Sequence, residues 1–76
     1  GTTYDVINVS DLNKFEAGTV VNQALLEEVG LVKQVKDGVK ILGEGTLNVA
    51  LTVQANKFSK TAIEKIEAAG GKAEVI

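Results

Sequence analysis

The sequence predicts a small α/β domain built on one small mixed sheet and ending in a β-α-β unit. Three observations predict it. Leu47, Val49, Leu51, Val53 and Ala55 alternate with Asn48, Ala50, Thr52 and Gln54, the period-two pattern of a half-buried strand. Ala62, Ile63, Ile66 and Ala69 recur at helical spacing just after Ser59, a residue type that caps helix N-termini. Beyond Gly70-Gly71, residues Lys72 to Ile76 alternate again. Strand, helix and strand in that order predict a parallel crossover, right-handed by default.

The upstream elements follow from the same rules. Tyr4 to Val9, with Val6, Ile7 and Val9, reads as a short strand because β-branched side chains suit a pleated surface. Ser10 is placed to cap a helical turn over Asp11 to Lys14, with Phe15 as a core plug behind it. Glu16-Ala17-Gly18-Thr19 reads as a turn. Asn22 is an N-cap candidate for a helix from Gln23 to Val29, whose Leu25, Leu26 and Val29 make one apolar stripe. Gly30 then supplies the left-handed residue that commonly ends a helix. Leu31 to Lys36 fits a loop or a short strand. Asp37-Gly38 signals a turn, Val39 to Leu42 a strand, and Gly43-Glu44-Gly45 a tight connection. The order is β-α-α-β-β-α-β, without repeats, low-complexity tracts or an internal linker, so residues 1–76 are expected to be one domain.

Composition narrows the chemistry. The chain has 76 residues and no cysteine, so neither a disulfide nor a thiolate metal site staples it. Small folds of this kind often gain stability from a partner. His and Arg are also absent, which removes the commonest general base and metal ligand. Asp5, Asp11 and Asp37 form no recognisable pair, and the adjacent Glu27 and Glu28 diverge on a helix. These absences predict no enzyme, no cofactor, no metal and no small-molecule substrate. No apolar stretch reaches the roughly 20 residues of a membrane-spanning helix, and Gly1-Thr2-Thr3-Tyr4 has no signal-peptide character. The chain does not begin with Met, which marks it as processed or as an excerpt.

Net charge is −2, from eight lysines against ten acids, and an acidic total argues against a nucleic-acid binder. The lysines are nonetheless grouped: Lys33, Lys36 and Lys40 flank a turn, and Lys57 and Lys60 bracket Ser59. A fold can gather such groups on one face. A helix starting at Lys60 would present free N–H groups and positive potential there, suited to a phosphate. Equally, Ser59 serves as a cap, Phe58 as core and the lysines as solvated charges. Gly43-x-Gly45 reads as a tight turn and not a phosphate loop, because a strand follows it instead of a helix. Tyr4, Phe15 and Phe58 are too scattered for a base-stacking platform. Any nucleic-acid contact would therefore read backbone and shape.

One segment carries a resemblance. Lys40-Ile41-Leu42-Gly43-Glu44-Gly45, then Leu47, Leu51 and Val53, then Phe58-Ser59-Lys60-Thr61-Ala62, Ile66 and Ala68-Ala69-Gly70-Gly71 stand at fixed spacings. Together they resemble the C-terminal signature of the bacterial large-subunit ribosomal protein fifteen family. Val9-Ser10-Asp11-Leu12-Asn13-Lys14-Phe15 and Leu31-Val32-Lys33 look like the same family, so the resemblance spans nearly the whole chain. A related archaeal and eukaryotic large-subunit protein shares the fold. The resemblance implies irregular β-β-α turns, a structural role in the cytoplasmic ribosome, binding of large-subunit ribosomal RNA, neighbouring ribosomal proteins as partners, and support of subunit assembly. The family's Gly/Arg/Lys-rich N-terminal half has no counterpart in this sequence. The position before Lys57, often His in the family, is Asn56.

Three functions follow as expectations. The first is a ribosomal RNA-binding structural domain whose Lys33, Lys36, Lys40, Lys57, Ser59 and Lys60 meet phosphates. The second is a protein–protein module that docks within an assembly without touching RNA, which the net charge favours. The third, an enzyme, would need converging groups such as Asp37 with Lys40, which nothing in the spacing suggests.

Overall fold

The computed structural model describes residues 3–33 and 37–76. It has six strands and two α-helices in the order β1 (Asp5–Asn8), a 3-10 turn (Val9–Leu12), β2 (Val20–Val21), α1 (Gln23–Glu28), β3 (Val39–Leu42), β4 (Thr52–Ala55), β5 (Lys57–Phe58), α2 (Lys60–Ala68) and β6 (Lys72–Val75). The α/β class is as predicted. The sheet is not: two three-stranded sheets replace one, ordered β1-β3-β5 and β2-β4-β6, and every pairing is parallel instead of mixed. The reason is topological. Parallel neighbours need a crossover between them, and here each crossover carries a strand of the other sheet. The chain thus alternates between sheets at every strand.

The predicted β-α-β unit is present. β4 and β6 are parallel neighbours, with Thr52 opposite Lys72 and Ala55 opposite Val75, and α2 lies between them in sequence. The nine-residue strand over residues 47–55 is shorter than predicted, since only Thr52–Ala55 pairs in a ladder. Leu47 and Leu51 still point inward and Asn48 outward. The backbone groups of this stretch are satisfied elsewhere: Asn13 donates from Nδ2 to the Thr46 carbonyl (2.7 Å) and accepts at Oδ1 from the Asn48 N–H (2.8 Å), and the Gly18 N–H donates to the Ala50 carbonyl. Alternation decides which side chains are buried and leaves open which backbone pairs.

The first strand also ends early. Val9 belongs to the 3-10 turn, and Asn8, not Ser10, is its N-cap. The Asp11 carboxylate accepts from the Asn8 N–H at 3.0 Å. Both α-helices are capped as the sequence indicates. Asn22 Oδ1 accepts from the Leu25 N–H (2.9 Å) and Ser59 Oγ from the Ala62 N–H (3.1 Å). Each ends in paired C-terminal bonds: Gly30 N–H to Glu27 and Leu31 N–H to Leu26 in α1, Gly70 N–H to Glu67 and Gly71 N–H to Ile66 in α2. This Schellman geometry places a left-handed residue after the helix, and Gly70 supplies it at φ 89°.

One core holds the layers together. Among the described residues fourteen apolar side chains are buried and no polar or charged residue is. Ile7, Val39 and Ile41 come from one sheet, Val21, Val53 and Ala55 from the other, and Leu26, Ala62 and Ile66 from the helices. Phe15 and Phe58 pack against this core while half-buried. Three predicted apolar positions stay outside it, half-buried Ile63 of α2 among them. Val29 ends α1 at 39% exposure, and Val75 is 70% exposed on the edge strand β6, where no further strand covers it.

A candidate nucleic-acid interface

The outer face of β1-β3-β5 follows from strand alternation. In β3, Val39 and Ile41 are buried while Lys40 and Leu42 lie half-exposed on the opposite face. β5 pairs with β3 so that Ile41 faces Phe58 and Lys40 faces Lys57. Phe58 turns to the core, so Lys57 projects outward with Lys40. On the other side of β3, Val6 is the register partner of Lys40 and is 51% exposed. The result is a row, Val6-Lys40-Lys57, that crosses three strands. The next outward row holds Asn8 and Leu42.

Asn56 fixes this register. Its N–H donates to the Val39 carbonyl (3.1 Å) and its Oδ1 accepts from the Val39 N–H (2.9 Å). The side chain lies so close to the Gly38 Cα that any side chain at 38 would collide with it. This glycine, at φ 128°, is therefore required for both conformation and space. The clamp is not legible in the sequence, where Asn56 stands only as the residue before Lys57.

The ladder runs on from Lys57 into α2. The Ser59 N–H donates to the Ile41 carbonyl (2.9 Å), and Lys60, exposed, opens the helix. The Ser59 hydroxyl accepts from the Ala62 N–H and so caps α2. The register sets Lys40 beside Lys57 on one sheet face, and Ser59 and Lys60 follow Lys57 in the chain at the start of α2. Lys33 is exposed in the irregular segment after α1, and no hydrogen bond or pairing among the described residues ties it to that row. Lys36 lies outside the described residues, as does the end of the segment Leu31 to Lys36.

Lys65 carries no signal in the sequence, yet it is the most engaged lysine among the described residues. Its Nζ donates to the Gly43 and Gly45 carbonyls, each at 2.6 Å. Gly43 in turn lies against the start of α2, where an added Cβ would come within 2.7 Å of the Thr61 side chain. The Gly43-x-Gly45 segment is thus a tight turn clasped to the helix. An open groove of about 230 Å³ beside it is lined by Gly45, Thr46, Leu47, Lys65, Ala68 and Ala69, none of them a predicted site residue. The Asp37 carboxylate accepts from the Thr3 N–H, and Lys40 projects from the sheet. No helix of the described residues is long and apolar enough to cross a membrane.

A family model that groups ribosomal proteins 50S-L15 and 50S-L18e with their 60S counterpart matches residues 6–74. The chain belongs to this family. The match covers both sheets and both helices, and it agrees with the C-terminal domain of bacterial large-subunit ribosomal protein fifteen that the sequence resembles. A structural role in the large ribosomal subunit follows from family membership.

Proposed function

We propose that this domain, residues 1–76 as one unit, binds large-subunit ribosomal RNA through its phosphate backbone and so supports subunit assembly in the cytoplasmic ribosome. The observation that carries the reading is the placement of Lys40 beside Lys57, with Lys60 at the adjoining helix start, on a face without a carboxylate in its strands. Lysines so grouped neutralise phosphates without reading bases. Lys33, exposed after α1, extends the contact, and Lys36 joins it. Neighbouring ribosomal proteins complete the partners, and no reaction is assigned.

The second reading, docking on protein alone, draws on the net charge of −2 and on exposed Val20, Val75 and Ile76. Binding of the chain to large-subunit ribosomal RNA, beside a variant with Lys57→Ala and Lys60→Ala, separates them. The RNA reading expects binding that the variant weakens at least several-fold. No binding even at low salt would leave protein docking as the function.

A further inference from the structure

We propose that Lys40 and Lys57 form a single two-pronged phosphate seat, and that the free protein bears their mutual repulsion until a phosphate relieves it. The inference rests on the RNA reading above for its natural phosphate and deepens it: one row becomes both a binding determinant and a weak point of the fold.

The two lysines are direct register partners, and adjacent strands lie about 4.8 Å apart. Like charges directly opposite across strands destabilise a sheet. Among the described residues, no acidic side chain of the three strands lies on this face to offset them. The outward residues of the three strands are Val6, Asn8, Lys40, Leu42 and Lys57, none of them acidic, and Asp5 stands opposite the buried Val39 on the other face. Among the described residues, neither ammonium makes a hydrogen bond, in contrast to Lys65, which makes two. Slippage of the register would separate the charges, but the two-point bond between Asn56 and Val39 holds it. An edge strand often carries Lys to discourage pairing with other chains. That explains Lys57 on β5 and not Lys40, which sits on the central strand of its sheet. A phosphate between the two ammonium groups accounts for both.

The test is a double-mutant cycle of Lys40→Gln and Lys57→Gln read by thermal unfolding, with sodium tripolyphosphate as the anion probe at matched ionic strength. At about 10 mM salt, where the Debye length is about 30 Å, each single change should raise the midpoint by about 2 °C. The second change should add little, because the first already removes the repulsion. At about 1 M salt, where screening acts within about 3 Å, the gain should vanish. Tripolyphosphate should stabilise the parent chain more than any of the three variants. The proposal is overturned if the single changes leave the midpoint unchanged or lower it, if their effects add without regard to salt, or if tripolyphosphate stabilises parent and double variant alike. The RNA reading is judged separately. Ribosomal RNA that binds the double variant as tightly as the parent removes the seat and leaves RNA binding standing. Tripolyphosphate stabilisation that depends on the pair, with no ribosomal RNA bound, keeps the seat and removes its natural ligand.

Discussion

Asparagine takes the place of a missing ladder at two points in this protein. Asn56 holds β5 to β3 by one side-chain bond beside its own backbone N–H bond to Val39, and Asn13 holds the extended stretch before β4 by two side-chain bonds to main chain. Polar residues that satisfy backbone in this way contribute about 1 kcal/mol per bond, and their loss strands the partner groups. Asn56→Ala should therefore lower unfolding stability by about 1–2 kcal/mol, read from the urea midpoint. Gly71 makes a different contribution. It passes so close to the Leu51 carbonyl that a Cβ has no room, and the Lys72 N–H donates to that same carbonyl at 2.8 Å. Gly71→Ala should cost about 1–3 kcal/mol through overpacking, measured by the same denaturation. Neither residue announces this role in the sequence. Side-chain bonds to distant main chain leave no periodicity.

The helices are the most legible elements. Asn22, Ser59, Gly30 and Gly70 each act locally, so capping chemistry predicts both ends to within a residue. β3 is legible for the same reason, bounded by Gly38 and Gly43. The long strand over residues 47–55 is overextended in the sequence pattern because alternation reports burial, whereas the ladder depends on a neighbour chosen by topology. Ser59 shows how an element carries the site. Since its hydroxyl caps α2, Ser59→Ala should lower stability by about 1 kcal/mol while leaving the salt dependence of RNA binding almost unchanged. A slope that falls as it does for a lysine change would mean that the hydroxyl meets phosphate directly. The Lys65 clasp is the second such device. Lys65→Met should cost about 1–2 kcal/mol, part of the bond strength being lost to solvent, and calorimetry of the variant checks it.

The two sheets exist only as a pair, since every crossover of one contains a strand of the other. Among the described residues no pairing is local. The nearest strand partners in sequence run from Lys40 to Lys57. Strand order and sheet number are therefore the least legible features of the fold. The candidate site shares this fate: the lysine clusters are visible in the sequence, but the register that sets Lys40 opposite Lys57 is not. Chains rich in such pairings fold slowly, because loop closure comes before the contacts that repay it. Stopped-flow refolding should give a relaxation of milliseconds to seconds, well behind helical bundles of similar size.

The acidic total of the chain and the basic row on one sheet face point to different partners, and salt decides between them. Each phosphate neutralised contributes roughly 0.7–0.9 to the slope of log affinity against log salt. The most direct measurement is that slope for large-subunit ribosomal RNA, with the parent chain beside Lys40→Gln, Lys57→Gln and their combination. Engagement of Lys33, Lys36, Lys40, Lys57 and Lys60 predicts a slope of about −4, shallower by about 1.5 in the double variant. A flat slope, or one that the double variant leaves intact, would contradict the assignment of this face to RNA.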